Sequence, residues 1–267
     1  MNFQPVVPVG GLAGWVLLNK TIERQTVLFD SSPSILRDTD YFESNIQKVR
    51  TAEELVSDRR LLRVALGAFG LAEDINSRAL IRKVLEDGVD RDSALANRLT
   101  DRRYRQLAET FGFAETSTPR TQRAGFGKEI AQKYRRQEFE VAVGQTNQAL
   151  RLAMNAQRDL SEIGAEDVGP NTKWLRILGT PPLRRVFETA LGLPQSFAQL
   201  DLDRQFETLK TRAARHLEVS DPAQLADPII QDKLVRRFLL QDQINSFAIQ
   251  SSQAIALSLL QAAPRAF

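Results

Sequence analysis

Thr51-Ala52-Glu53-Glu54-Leu55-Val56-Ser57-Asp58-Arg59-Arg60-Leu61-Leu62-Arg63-Val64-Ala65-Leu66-Gly67-Ala68-Phe69-Gly70-Leu71 reads as two helices in succession, each with its own start. Thr51 and Glu54 match a capping box: the Thr51 hydroxyl accepts a first-turn N–H while Glu54 reaches back to the Thr51 amide. Asp58 is a second cap, for a helix over Arg59–Phe69. Gly70 is placed to stop it, since glycine enters the left-handed region without a steric cost. Between cap and stop, Leu61, Val64, Ala65 or Leu66, and Phe69 recur at helical spacing and form a candidate core stripe.

The same signals continue in both directions. Upstream, Leu12–Phe29 and Ser34–Val49 read as helices. Downstream, helices are expected at Ser77–Glu86 with Gly88 as the stop, after Asp92 or Ser93, and from Asp101 to Gly112. Ala114–Gly127, rich in Thr, Ser, Pro and Gly, reads as a linker. Lys128–Ile163 is expected to be one long helix with Gly144 as its weak point. Helices at Thr172–Leu178, Leu183–Leu191 (opened by Thr180 and Pro181-Pro182), Asp201 or Asp203 to His216, and Asp227-Pro228 to about Ala262 complete the chain. Strand signals are nearly absent; Val6-Val7-Pro8-Val9 is short and broken by proline. The expected fold is all-α, about ten helices, with two related helical modules joined by a long helix. Its parts are an N-terminal arm (1–50), a first module (51–116), a linker and long helix (117–169) and a second module with the long C-terminal helix (170–267), or one compact domain formed from all of them.

The relation between modules rests on an echo at 122 residues. Leu61, Arg63, Val64, Ala68, Gly70 and Leu71 recur as Leu183, Arg185, Val186, Ala190, Gly192 and Leu193. Asp58 and Thr180 are cap types at matching places, and Leu80 and Val84 answer to Leu202 and Phe206. Amphipathic helices with glycine stops share part of such a pattern in any case.

Composition narrows the chemistry. The chain has 267 residues, 42% apolar and 26% charged, with no cysteine and one histidine. Disulfides, thiol catalysis, cysteine-based zinc sites and any site needing two histidines are excluded, and a serine-type triad has only His216 to use. The net charge of +3 predicts no broad field for a nucleic-acid backbone. Arginine pairs such as Arg59-Arg60, Arg102-Arg103 and Arg236-Arg237 read either as anion surface or as solvated helix faces, and acids sit among most of them. Met1–Gly11 has no charged leader, and no run of about 18 apolar residues appears. A soluble cytosolic chain without membrane insertion is expected.

No motif carries a reaction. Gly125-Phe126-Gly127-Lys128 is half of a phosphate loop, with Gln122 where the first glycine belongs and no strand before it. His216 beside Arg215 suits the negative end of a helix. The acid pairs read as caps and solvated faces. No catalytic, cofactor-binding or metal-binding residue is assigned, and no cofactor is expected. The structural residues singled out are Thr51, Glu54, Asp58, Gly70, Gly88, Thr180 and Gly192.

The terminal helices point elsewhere. Trp15, Leu18, Ile22 and Phe29 put bulk on the first helix. Ile255 and Leu259 lie in a final stretch, Ile244–Ala263, that contains no charged residue. Two readings stand: these faces pack into the core, against each other or otherwise, or they dock another protein, with those six residues as contacts.

Three segments together resemble the bacterial domain-of-unknown-function family 1217. They are Arg37-Asp38-Thr39-Asp40-Tyr41-Phe42; Thr51–Leu62 running into Ala68-Phe69-Gly70-Leu71; and Lys83–Gly88 running into Ser93–Leu99 and Asp101–Tyr104. The resemblance covers roughly residues 35–113. It implies an all-helical protein without established enzymatic activity, linked to flagellar biogenesis in alphaproteobacteria, and it transfers no catalytic residue. The expectation is a non-enzymatic structural or assembly protein of the flagellum with a protein partner, cytoplasmic or exported to that organelle. The alternative is a cytosolic helical adaptor or regulator of flagellar biogenesis.

Overall fold

The structure of the chain is a computed structural model. It describes residues 3–114 and 119–262, with the side chains of 195 and 249–262 left aside. Among the described residues it holds thirteen α-helices, five short 3-10 turns and no strand. In chain order the helices are α1 (Gly11–Asp30), α2 (Pro33–Asn45), α3 (Ala52–Ser57), α4 (Arg59–Ala68), α5 (Arg78–Asp87), α6 (Leu95–Arg98), α7 (Arg102–Phe111), α8 (Phe126–Thr146), α9 (Gln148–Ala165), α10 (Pro170–Leu178), α11 (Pro181–Ala190), α12 (Leu202–Leu217) and α13 (Pro228–Ala262). The chain folds into two compact units. One takes Met1–Pro8, Leu17–Arg151 and Gly179–Pro181; the other takes Val9–Val16, Leu152–Leu178 and Pro182–Phe267.

In the first unit α4 is the central helix. The caps of α3 and α4 form much as the sequence reads. Thr51 Oγ1 accepts the Glu54 N–H at 3.2 Å, and Asp58 Oδ1 accepts those of Arg60 at 2.8 Å and Leu61 at 3.1 Å. Glu54 differs by one residue: its carboxylate takes the Arg50 N–H at 2.7 Å rather than that of Thr51, so the box closes on the preceding peptide. Leu61, Leu62, Val64, Ala65 and Leu66 are all buried, and α8 and α2 pack against them. Gly67 permits the approach of α8, because a Cβ there would stand 2.7 Å from the Tyr134 ring.

The long helix expected over Lys128–Ile163 is two helices. The break falls at Asn147, whose backbone is extended (φ −149°, ψ 104°) and whose Oδ1 accepts the Leu150 N–H at 3.0 Å. Asparagine is among the strongest helix-capping residues, so a new start outcompetes propagation there. Gly144, the expected weak point, lies inside α8.

In the second unit α12 packs on α10 and α13, and the turn Pro222–Ala226 packs on α10 and α13. Trp174 and Phe187 meet edge to face at 6.4 Å, and Leu183, Val186, Leu234, Val235, Phe238 and Leu239 are buried. Asp201 caps as expected, Asp221 accepts the Ala223 N–H at 2.8 Å, and Asp227 accepts the Ile229 N–H at 2.8 Å at the start of α13. Thr180 directly precedes α11, and Gly88 (φ 63°) closes α5.

Helices α4 and α11 begin and end at positions 122 apart and stop in the same way. Gly70 (φ 70°) and Gly192 (φ 62°) are left-handed. The Leu71 N–H donates to Leu66 O at 2.9 Å, and the Leu193 N–H donates to Glu188 O at 2.8 Å. This six-to-one bond is the Schellman stop. The likeness ends soon after: Leu80 packs against a core cluster, whereas Leu202, its counterpart, is 57% exposed.

Candidate functional site

The candidate chemical groups are occupied structurally. Gly125 (φ 83°) precedes α8, but Phe126 is buried edge to face on Phe111 at 5.3 Å. Gly127 lies against Ile46 and the Glu43 backbone. This helix start is packed into the unit and leaves no cradle for a phosphate. An open cleft is lined by Glu53, Glu54, Ser57, Asp58 and Arg59. Its charges are engaged: Glu53 with Arg82 at 2.7 Å, Glu54 and Asp58 in caps, and Arg59 with Asn76. Among the described residues no group of three or more His, Asp or Glu gathers to hold a metal ion.

The most perturbed polar cluster is internal to the first unit. Tyr134 Oη donates to Asp38 Oδ2 at 3.4 Å, and Arg63 pairs with the same oxygen at 3.5 Å. Burial first, then the charges of Glu138 and Asp38, pushes the Tyr134 phenol well above its ordinary value. Burial, and then Asp38, raises the Glu138 carboxyl despite Arg151 and Arg63. Around the buried Tyr134 this network sets two guanidinium groups against two carboxyls at the edge of the unit, and it ties α2, α4 and α8 together.

The sequence-predicted docking residues divide. Trp15 is 2% exposed, Leu18 1% and Phe29 7%, and Phe29 meets Phe139 edge to face at 5.5 Å. A side chain so enclosed offers no surface, so these three are core residues and not docking anchors. Ile22 is half-buried. Ile255 and Leu259 lie in α13 but outside the residues whose side chains are described. The two terminal helices do meet within the second unit, where Gly11 lies against Gln243 closely enough that a Cβ would fall 2.0 Å from its Nε2.

What remains open is the other side of these helices. On α13, Leu240, Ile244 and Phe247 are 47%, 58% and 68% exposed. They recur at i, i+4 and i+7, which is one helix face. On α1, Val27 and Leu28 are exposed. Sequence reading marked the uncharged stretch from Ile244 but missed Leu240, because periodicity marks an apolar stripe without saying which of two stripes faces inward. No helix among the described residues is long and apolar enough to cross a membrane.

The chain belongs to the family described as a protein of unknown function, DUF1217, whose model matches residues 68–230. The match reaches beyond α7 into α13, farther along the chain than the motifs that suggested it, and leaves out Arg37–Phe42 and Thr51–Leu62. An X-ray crystal structure of a protein from Agrobacterium tumefaciens is similar at 26% identity and a TM-score of 0.74, covering 91% of this chain and 99% of that one. No curated protein matches the chain.

Proposed function

We propose that this chain is a non-enzymatic structural or assembly protein of the bacterial flagellum, working through helix-to-helix contacts with another protein. The observation that carries the contact part is the exposed stripe Leu240, Ile244, Phe247 on α13, leading into a stretch without charge. Exposing that much apolar side chain in one line is unfavourable in water unless a partner covers it. The flagellar part follows from the family resemblance. The matching stops of α4 and α11 support reading the two helices as copies of one module.

Two measurements test the proposal. A strain lacking the chain is expected to lose motility, and a tagged copy is expected in sheared filament and basal-body preparations. Retention in the cytosol with a soluble partner turns the reading toward an adaptor or regulator. Full motility without the chain defeats both.

A further inference from the structure

Within the second unit, cations gather where two helix ends meet α13. Arg212, Arg215 and His216 stand at i, i+3 and i+4 on α12, hence on one side of its last turns. Arg237 joins them from α13, with its Nε donating at 3.3 Å to the carbonyl of Ala190, the last residue of α11. Burial, then Arg237, Arg212 and Arg215, pushes the His216 imidazole below its ordinary value. Nearby acids are engaged elsewhere: Glu218 holds Lys233 at 2.7 Å, Asp232 holds Arg236 at 2.6 Å, and Asp242 faces Arg185. Among the described residues Arg212 and Arg215 have no ion pair. The carbonyl ends of α11 and α12 offset only about half a charge each. Three guanidinium groups therefore leave a surplus of positive charge.

The surplus sits at the head of the open stripe. Ile244 follows Arg237 by seven residues, so it lies within about 20° of it around the helix. Leu240 and Phe247 border the same face and are exposed with it. The surface thus reads as cations first, then a row of apolar side chains.

We infer that this face docks an acidic amphipathic helix of a partner protein. Its carboxylates meet Arg212, Arg215, His216 and Arg237, and its apolar side chains cover Leu240, Ile244 and Phe247. The inference rests on the reading of the chain as a binding protein and narrows the partner to one chemistry. A free phosphate neutralises the cations but leaves the stripe in water. A nucleic acid calls for a line of unpaired cations where this face turns apolar. A second copy set stripe to stripe offers only Asp242 within the span of the stripe, a carboxylate already acted on by Arg185.

The chain has a single histidine, so one imidazole resonance reports on the site in the full-length protein. The probe is a synthetic helical peptide with glutamates at one end and leucines at i, i+3 and i+7. A version with glutamine for glutamate, and inorganic phosphate, are the comparisons. The acidic peptide is expected to raise the His216 pKa by about one unit, as an opposite charge at close range does. The glutamine version is expected to raise it far less. The peptide-induced shift is expected to vanish in Arg212→Gln/Arg215→Gln, and Ile244→Ser is expected to weaken peptide binding several-fold with the thermal midpoint unchanged. No shift with the acidic peptide overturns the inference. So does an equal shift with phosphate together with peptide binding that ignores Ile244→Ser. Loss of motility on deletion alongside a silent His216 defeats this inference alone. Full motility with a responsive His216 defeats the flagellar reading and leaves the docking chemistry standing.

Discussion

Tyr41 Oη donates a 2.6 Å hydrogen bond to Asp58 Oδ2, while the other oxygen of the same carboxylate caps α4. The Arg60 guanidinium covers the Tyr41 ring at 3.8 Å. One side chain therefore starts the central helix and ties it to α2. Asp58→Ala is expected to cost about 1–2 kcal/mol by denaturant unfolding. Tyr41→Phe is expected to cost less, and the double variant less than the sum, because both changes remove the same bond. Burial pushes the Asp58 carboxyl up, but the Tyr41 hydroxyl and the Leu61 and Arg60 amides outweigh it and hold the pKa below the ordinary carboxylate value. A lowered folded pKa gives stability that is present above the unfolded value and lost as pH falls through the folded one. Wild type is thus expected to lose more stability than Asp58→Asn on acidification below about pH 4.

The two glycine stops are predicted to respond unequally to alanine. Both have positive φ, which costs a β-carbon about 1 kcal/mol. At Gly192 nothing lies within 4 Å of the added carbon, so that cost is expected alone. At Gly70 the carbon meets Arg103 Nη1 at 3.3 Å, and this guanidinium also bonds the Gly70 carbonyl. Gly70→Ala is expected to be the more damaging of the two in thermal unfolding, and equal effects count against the packing described for Arg103.

Leu61 on α4 is 3% exposed and Leu183 on α11 fully buried. Truncating either to alanine removes about three methylene equivalents and leaves a cavity, at about 2–5 kcal/mol. A loss under 1 kcal/mol at Leu61 in chemical denaturation refutes the central place given to α4.

All three tyrosines of the chain donate to an aspartate: Tyr41 to Asp58, Tyr104 to Asp74 at 3.0 Å, and Tyr134 to Asp38. Burial, and then the Asp74 bond, pushes Tyr104 up to about 12, and the other two phenols are raised as well. A group with a raised folded pKa contributes stability that is fully present below its unfolded value and is lost as pH rises. Ultraviolet titration of the native protein is expected to show little phenolate near pH 10, with stability falling from about pH 10 to 12. Half-ionised tyrosines in the folded chain at pH 10 contradict this.

Removing residues 1–30 takes away Trp15, Leu18 and Phe29, each of which fills core space. That truncation is expected to aggregate. Leu240→Ser with Ile244→Ser, both on the open side of α13, is expected to leave the unfolding midpoint within about 2 °C. A soluble, folded truncation indicates that α1 contributes contacts to a partner and not to the core.

The local events were legible in the sequence because their causes are local. A capping hydroxyl or carboxylate at Thr51, Asp58, Asp201 or Asp227, a glycine free to turn left-handed at Gly70, Gly88 and Gly192, and leucines at helical spacing fix helix starts, stops and inward faces within a turn or two. The all-α class and the lack of a ready-made catalytic motif followed from those residues and from the composition. Asn147 was a local signal overlooked among a longer run of helical spacing. What only the tertiary structure decided was which apolar faces are spent on the core. Trp15 and Phe29 fit a free anchor on an isolated helix and are enclosed, whereas Leu240 and Ile244 face water. The convergence of Arg237 with Arg212, Arg215 and His216 depends on residues of two different helices, more than twenty positions apart in the chain. Burial and charge proximity are properties of neighbours brought from a distance, and periodicity along one helix contains no information about them.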